Sequence, residues 1–504
     1  MSSPEIAVAA PSEASAKGLK SGALNLFASV VFGVASVAPA YSLAATVGLV
    51  AAVAGLGSPF IMFVAFIPMG LVAAGFYYMN RADPDCGETF IWTSRAFGPQ
   101  IGWVIGFSAV AASVIVMANL AQIASQYMFL FFGAEGLAGS TFWVTLGGVG
   151  WIVFVAFFVA VGIEISARVQ YVLMTLQIVP LVLFTFWALI KAVVVQPDGY
   201  EPIRFSWFFT THLTGSQLAA GVTLGVFLYW GWDSVTAVNE ESENASHMPG
   251  VSALLNTLVL VVLYVAVTAA MQTYHGAQFL IDNPDDIFSP LAKDVMGSPW
   301  DKLVLLCVFT SGAASCLTTL LPLTRQTLSM AAHKSLPKVF GEVHPRYMTP
   351  FKGTIILTLL SIVWYVVLTW ANVNLLYDAI SALGIMVCLA YGGTGLAATI
   401  YYRKELLKSW KNFVLMGLAP TLGAIMFALV LVKVVIDDWN PDNSYATIGG
   451  WGGVFVMGVG TVALAVVLMV VMWIWKPEFF RRKPETWPGE GQPIPYADER
   501  IELD

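Results

Sequence analysis

Twelve long apolar runs divide this chain, and they constrain its fold more than any other feature. A helix needs about 20 residues to cross a bilayer, whereas a strand of an outer-membrane barrel alternates over about 10. The runs therefore predict an all-α polytopic membrane protein with 12 transmembrane helices, called here predicted spans 1 to 12. They cover residues 21–46, 58–79, 101–131, 142–163, 166–195, 216–238, 251–274, 302–332, 353–371, 375–402, 412–436 and 452–475.

The composition excludes several classes of protein. Of the 504 residues, 58% are hydrophobic and only 11% are charged, against roughly a quarter charged in soluble domains. That is too few charges for the surface of a soluble enzyme, a disordered regulator or a secreted disulfide scaffold. The net charge of −7 argues against nucleic acid as a partner. No zinc-helix or phosphate-loop motif occurs, so we expect no metal site, no cofactor and no enzymatic activity.

Basic residues indicate the orientation of the spans. If both ends of the chain are cytoplasmic, the inside segments hold 19 of the 24 lysines and arginines. We therefore expect a multi-pass plasma-membrane protein with both termini in the cytoplasm. Residues 1–20 and 477–504 are polar and are interpreted as exposed cytoplasmic tails. The spans between them form two five-helix units, 21–195 and 216–402, and a peripheral pair in 411–476.

Predicted span 1 carries a proline in its middle, in the segment Ala35-Ser36-Val37-Ala38-Pro39. Proline lacks a backbone N–H and clashes with the carbonyl group four residues earlier, so we expect the helix to kink or open near Ala35. Non-helical backbone is tolerated at membrane depth only where it faces protein or a water-filled cavity. The alternative is a simple kink packed among neighbouring helices.

Predicted span 6 carries a carboxylate inside an apolar run, in the segment Tyr229-Trp230-Gly231-Trp232-Asp233. Such a charge costs roughly 2.5–3.5 kcal/mol, so it usually faces a cavity and has a function. Gly231 permits a local break, and the three aromatic rings suit a cage for an ammonium group. The alternatives are an Asp233 that links helices or lies near the interface, and rings that only pack in the core.

The two interrupted spans lie five spans apart, which makes them corresponding members of two five-helix units. Paired interruptions at corresponding positions indicate an inverted repeat with a binding site between the broken helices. Half-helix N-termini offer N–H groups to an anion, and half-helix C-termini offer carbonyl groups to a cation.

Several stretches together resemble the amino acid–polyamine–organocation superfamily of secondary transporters. Asp85–Trp103 resembles the family's P-x-G-G-x-Y…R-x-x-G-P…G-F pattern, and Gly231–Asn244 is similar to G-F-[DE]…E-E-x-x-N-P. Thr324–Pro350 is similar to S-R…M-A-R-D-G-x-L-P…T-P. The resemblance covers about residues 20–402 and implies a LeuT-type five-plus-five inverted repeat plus two peripheral helices.

The chain departs from this family at two informative positions. Amino acid carriers of the family often have G-[ST]-G in the span 1 break, where this chain has Ser36, Val37 and Ala38. Some proton-coupled members carry a lysine in span 5, where this chain has Gln177. The resemblance therefore leaves the coupling ion open between H⁺ and Na⁺, with simple substrate exchange as a third alternative.

Other polar residues are candidates for the site or for a gate. Glu240 and Glu241 are candidates for an inner gate, in which they would pair with Arg325 or with the region of Arg95. The alternative is that they only form a solvated helix end. The hydroxyl groups of span 8 could form a cation site together with carbonyl groups of span 1. The alternative is that they only donate hydrogen bonds to carbonyl groups of the membrane helices. Asn119 of span 3 lines the site or bonds to a neighbour. The span 8 candidates chosen for the site are Ser311 and Ser315.

These observations predict a secondary transporter with alternating access and a small amine-bearing substrate. The substrate classes expected are amino acids and related organic amines, such as polyamines or ethanolamine-like compounds. Pro39 removes an N–H donor and Val37 and Ala38 add bulk, so a substrate without an α-carboxylate is favoured. The alternative is a nutrient receptor on the same scaffold, which would bind the ligand without net flux.

Overall fold

The computed structural model describes residues 15, 17–209, 212–283 and 286–482. Within these residues, ten stretches are long and apolar enough to cross a membrane. One of them, Leu26–Ala82, contains most of predicted span 1 and all of predicted span 2, and predicted span 6 corresponds to a shorter apolar helix, Gly215–Tyr229. Each predicted span thus has a helical counterpart, while the count of twelve crossings stays a prediction.

The first half of the bundle begins with a helix that is divided in two. Helices α1 and α2 are followed by a short 3₁₀ turn at Gly55–Gly57, and α4 lies between two long helices. The helices are α1 (Leu26–Val37), α2 (Pro39–Ala54), α3 (Ser58–Ala82), α4 (Thr89–Phe97), α5 (Pro99–Phe131), α6 (Glu135–Ala138), α7 (Thr141–Val161) and α8 (Ile163–Val195).

The second half also begins with an interrupted helix. Helix α9 ends in a turn that leads into a 3₁₀ helix at Thr236–Glu241, and α10 bends at Gly276, where φ is +76°. The helices are α9 (Gly215–Tyr229), α10 (Met248–Asp282), α11 (Phe288–Met296), α12 (Lys302–Ala332), α13 (Phe351–Ala371) and α14 (Leu375–Tyr401).

Two further long helices lie at the periphery. A π-helical turn at Phe413–Leu418 leads into the first of them, and a two-stranded hairpin connects the pair through Gly449 and Gly450. Both glycines have positive φ, which a two-residue hairpin turn requires. The elements are α15 (Trp410–Asn412), α16 (Ala419–Asp437), β1 (Thr447–Ile448), β2 (Trp451–Gly452), α17 (Gly453–Trp475) and α18 (Pro477–Phe480).

The interruption of span 1 lies at Ala38 and not near Ala35, so the predicted position was wrong by three residues. Ala38 adopts φ 50° and ψ 66°, and Pro39 is the first residue of α2. The residue before a proline avoids the right-handed helical region, and proline suits the first position of a helix. The proline therefore starts the second half-helix and does not bend a continuous one.

The parts of the two predicted tails that lie next to the bundle are packed against it. Leu19 of the first tail is fully buried, and just after this tail the Ala23 N–H donates to the Glu241 carbonyl oxygen at 2.7 Å. At the other end of the chain, Phe479 and Phe480 are buried. These apolar side chains explain why the exposed-tail interpretation fails here, while residues 1–14 and 483–504 lie outside the described residues.

Candidate substrate cavity

The two interrupted helices meet in the middle of the bundle. A Cβ atom on Gly231 would lie 3.1 Å from the Ser36 carbonyl oxygen, and Gly231 has φ +107°. The positive φ favours glycine, and the close approach of another backbone leaves little room for a larger side chain. The predicted break at Gly231 is therefore present, and it brings α9 against the end of α1.

Serine hydroxyl groups hold the first break open. Ser315 Oγ of α12 donates to the Ser36 carbonyl oxygen at 2.8 Å, and Ser42 Oγ donates to the Val37 carbonyl oxygen at 2.6 Å. Ser311 Oγ accepts from the Tyr41 N–H at 3.3 Å. The carbonyl groups at the end of α1 thus have hydroxyl donors from α2 and α12, which replace helical bonds that the break removes.

Asp233 lies in the turn after α9, where a tyrosine of α14 fixes its carboxylate. Tyr391 Oη donates to Asp233 Oδ1 at 2.5 Å and accepts from the Gly231 N–H at 3.2 Å. One phenol group therefore bonds both to the carboxylate and to the backbone of the break. A charge-assisted hydrogen bond of this kind is stronger than a neutral one, so it orients the carboxylate.

A cavity opens between these elements, with an empty volume of about 710 Å³ that includes the part open to solvent. Its lining comes from both breaks and from α5, α12 and α14. Six of the predicted site residues line it: Ser36, Val37, Trp230, Gly231, Asp233 and Ser315. Nine other lining residues carry polar side chains that the sequence analysis did not place in the site: Tyr41, Ser42, Glu88, Thr89, Ser113, Ser234, Thr319, Gln326 and Tyr391.

Other predicted site residues lie next to the cavity without lining it. Ala35, Ala38 and Pro39 form the break itself and are buried. Ser311 is fully buried and bonds to α2 as described above. Asn119 is also buried on α5, but it is not among the lining residues.

The predicted cage of three aromatic rings is not present. Tyr229 is fully buried and donates its hydroxyl to the Met62 carbonyl oxygen at 2.9 Å. Trp232 is also fully buried and packs edge-on against Phe76, with ring centroids 4.9 Å apart. Neighbouring positions in the turn point in different directions, so Trp230 alone of the three reaches the cavity.

Glu88 adds a second carboxylate to the cavity. It precedes α4 with φ 41°, an uncommon conformation for a residue other than glycine. Gln326 Nε2 of α12 donates to Glu88 Oε1 at 2.9 Å, and Thr236 Oγ1 is hydrogen bonded to Glu88 Oε2. The signal that sequence reasoning missed is that Glu88 stands at the second glycine of the P-x-G-G-x-Y pattern.

Ion pairs close the bundle beside this cavity, at the end that carries the loop before α4. Arg325 Nε and Nη2 donate to the two oxygens of Glu241, each at 3.0 Å, and both side chains are fully buried. This is one of the two pairings that the sequence left open. Arg95 Nε forms an ion pair with Asp83 Oδ2 at 3.1 Å, and a gate role for the region of Arg95 stays a prediction.

Glu240 has a partner in the segment that the sequence analysis interpreted as an exposed tail. Lys17 Nζ forms ion pairs with Glu240 and with Asp85 Oδ2, the second at 2.9 Å. Asp85 also contacts His333 Nε2 at 2.9 Å. Burial opposes ionisation of Asp85, but Lys17 and the His333 hydrogen bond hold the pKa of this carboxyl well below its usual range. The N-terminal segment, the α4 loop and α12 are therefore joined at one point.

Comparison with known proteins identifies the family. The model of a family described as amino acid permease matches residues 24–478. This chain belongs to the amino acid permease family. The permease is thus a multi-pass protein of a family of membrane transporters, as the resemblance in its loops implies.

Three of the relatives are described as carriers of amino acids or of a polyamine. The permease is 27% identical to the vacuolar cationic amino acid transporter 4 of Arabidopsis thaliana, over 59% of this chain and 50% of that protein. It is 24% identical to the branched-chain amino acid permease BcaP of Lactococcus lactis, over 62% of this chain and 68% of that protein. It is 21% identical to the low-affinity putrescine importer PlaP of Escherichia coli, over 82% of this chain and 88% of that protein. The chain therefore spans only half the length of the plant relative.

A solved structure supports the fold. A mutant of the manganese transporter of Eremococcus coleocola aligns with a TM-score of 0.55 and 11% identity, over 91% of this chain and 95% of that one. At this identity the likeness concerns the fold alone. The predicted all-α, LeuT-type architecture, with an inverted repeat and peripheral helices, is confirmed.

Proposed function

We propose that this permease is a secondary transporter that works by alternating access and moves a small amine across the plasma membrane. The main support is the charge of the cavity. Asp233 and Glu88 line it, and none of its described lining residues is Lys, Arg or His. A carboxylate inside a membrane protein is stabilised by a cation, so the ammonium group of a substrate is the natural partner of Asp233.

The other end of the substrate has fewer partners in the cavity. An α-carboxylate would need free N–H groups at the start of α2. Pro39 at the first position has none, and the Tyr41 N–H already bonds to Ser311. We therefore propose that a protonated amine is required and that an α-carboxylate is not. Polyamines and decarboxylated amino acids fit this requirement better than neutral amino acids do.

The ion pairs beside the cavity suit a cytoplasmic gate. Arg325–Glu241 and the Lys17 contacts join the N-terminal segment, the 3₁₀ helix after α9 and the end of α12. These elements belong to both halves of the repeat, so breaking the pairs would let the halves separate on this side. With both termini in the cytoplasm, this is the side on which substrate is released during uptake.

A flux experiment tests the proposed activity. The purified permease is reconstituted in proteoliposomes, and uptake is measured for leucine against isopentylamine, ornithine against putrescine and arginine against agmatine. We expect the amine of at least one pair to be taken up and to compete with the others. Binding without flux would favour the receptor alternative, and competition by the α-amino acids alone would contradict the argument from Pro39.

The role of Asp233 is tested by Asp233→Asn. We expect most uptake to be lost while the amount of protein in the membrane is unchanged, because the substitution removes charge and little volume. Asp282→Asn is the matched control, since Asp282 is exposed at the end of α10. Near-normal uptake by Asp233→Asn would show that this carboxylate only links helices.

The proposed orientation has its own test. Lys338 is exposed in the loop between α12 and α13. The distribution of basic residues among the loops predicts that this loop is cytoplasmic. A cysteine introduced by Lys338→Cys is expected to react with an impermeant maleimide only after the cells are opened. Labelling from outside intact cells would reverse the orientation.

A further inference from the structure

The cavity has more negative charge than one ammonium group balances. Its described lining contains two carboxyl groups, Glu88 and Asp233, and no basic side chain. A substrate with one ammonium group neutralises one of them. The second positive charge must come from a proton, from another ion or from a second ammonium group on the substrate. The hydrogen bonds around Glu88 distinguish among these sources.

The Thr236 hydroxyl has one hydrogen and two partners that can both accept it. Thr236 Oγ1 lies 2.8 Å from the Asp233 carbonyl oxygen and is also hydrogen bonded to Glu88 Oε2. The carbonyl oxygen can only accept, and an ionised carboxylate can also only accept. Both contacts are complete hydrogen bonds only when Glu88 donates to Thr236 and Thr236 donates to the carbonyl oxygen. An ionised Glu88 would leave the two acceptors to share one hydrogen, so this arrangement favours a proton on Glu88 Oε2.

The position of Glu88 supports a function for this proton. Its backbone is in the left-handed region at φ 41°, and such strain in a buried residue other than glycine is often found at functional sites. Glu88 also lies three residues after Asp85, which pairs with Lys17 in the proposed gate. A movement that opens the gate therefore displaces the same loop and exposes Glu88 to the cytoplasm.

We propose that Glu88 is a proton-binding site of the substrate cavity, occupied while the gate is closed and emptied to the cytoplasm when the gate opens. The proton supplies the second positive charge, and it leaves the carboxyl oxygen as the loop becomes hydrated. This role rests on the proposed function, because it assigns a proton to the cavity of that transporter.

The groups that face Glu88 agree with this assignment. The ionisable side chains of the same cavity are Asp233 after α9, Tyr391 on α14 and Tyr41 on α2, whereas α12 presents the neutral amide of Gln326. Burial and, next, the charge of Asp233 raise the pKa of Glu88 well above its usual range. No cation among the described residues forms an ion pair with Glu88, so nothing on these elements favours its ionised form.

Infrared difference spectroscopy tests the proposal without any substrate. Spectra of the full-length permease in liposomes at pH 8 are recorded for the unmodified protein and for Glu88→Gln, Asp233→Asn and the control Glu135→Gln. Glu135 is exposed on α6. At pH 8 a carboxyl such as Asp438, whose pKa burial raises to about 7, is mostly ionised and contributes little to the protonated-carboxyl region.

The difference between the unmodified protein and Glu88→Gln decides the matter. We expect the carbonyl stretch of a protonated carboxylic acid, lost completely in Glu88→Gln, kept in Asp233→Asn and unchanged in Glu135→Gln. The paired stretches of an ionised carboxylate in that difference would overturn the proposal and assign the second positive charge to the ligand. Because the spectra need no amine, a failure of the proposed transport activity would leave this result readable.

Discussion

The buried pair of Arg325 and Glu241 gives a quantitative test of the gate. Glu241→Gln keeps the shape of the side chain but leaves the arginine charge unpaired where both partners have 0% exposure. Removing one partner of a buried ion pair costs about 3–5 kcal/mol. If water reaches Arg325 when the gate opens, this cost falls on the closed state alone. At 1.4 kcal/mol per tenfold change, the ratio of closed to open protein should fall about 100- to 4,000-fold.

Cys86 provides the readout for this change. It is fully buried beside the pair, and its thiol contacts the Arg325 carbonyl oxygen at 3.4 Å. Burial and the nearby Glu240 raise the pKa of this thiol, so the closed state should react slowly with a maleimide. Peptide-resolved mass spectrometry of Cys86 alkylation would measure the opening. We expect faster labelling in Glu241→Gln, by a factor approaching the change in the closed-to-open ratio.

Two controls separate gate opening from unfolding. The double variant Glu241→Met with Arg325→Met replaces both charges by apolar side chains, which is often close to neutral for stability, so Cys86 should be protected again. Lys334→Gln breaks a solvent-exposed ion pair with Glu478, which contributes little to stability, and should not change labelling. Unchanged Cys86 labelling in a folded Glu241→Gln protein would refute the gate.

Three further predictions concern the cavity. Tyr391→Phe removes the 2.5 Å hydrogen bond to Asp233, and such a bond to a charged group contributes about 1.5–3 kcal/mol. The half-saturation concentration of the transported amine should therefore rise about 10- to 100-fold. An unchanged half-saturation concentration would show that this bond does not orient Asp233. Ala38→Gly should preserve uptake and thermal stability, whereas Ala38→Val should lower the unfolding temperature in detergent, because a β-branched residue fits φ 50° poorly. Equal unfolding temperatures of the two variants would contradict the left-handed conformation at Ala38. Gln177→Ala should leave the pH dependence of uptake unchanged, since Gln177 does not line the cavity, whereas Glu88→Gln should abolish this dependence. A loss of pH dependence in Gln177→Ala would indicate that proton coupling involves predicted span 5.

The sequence alone predicted the long apolar helices and, to within three residues, where two of them are interrupted. These features depend on a few adjacent residues: an apolar run is long enough or it is not, Pro39 cannot continue a helix, and Gly231 permits one to stop. The carboxylate of Asp233 inside an apolar run is equally local. Its position in a cavity between the two breaks followed from the repeat, since corresponding helices of the two halves meet.

Only the tertiary structure decided which side chains share the cavity. Tyr391 reaches Asp233 from 158 positions along the chain, and Gln326 reaches Glu88 from 238. Such contacts depend on how each helix is rotated about its axis when it packs, and apolar spans carry too little amphipathic pattern to fix that rotation. The same cause separates Trp230, which lines the cavity, from Trp232, which packs on Phe76. Lys17 lies in a short polar segment with no periodicity, so its pairing with Glu240 and Asp85 became visible only once the α4 loop and the end of α12 had been brought beside it.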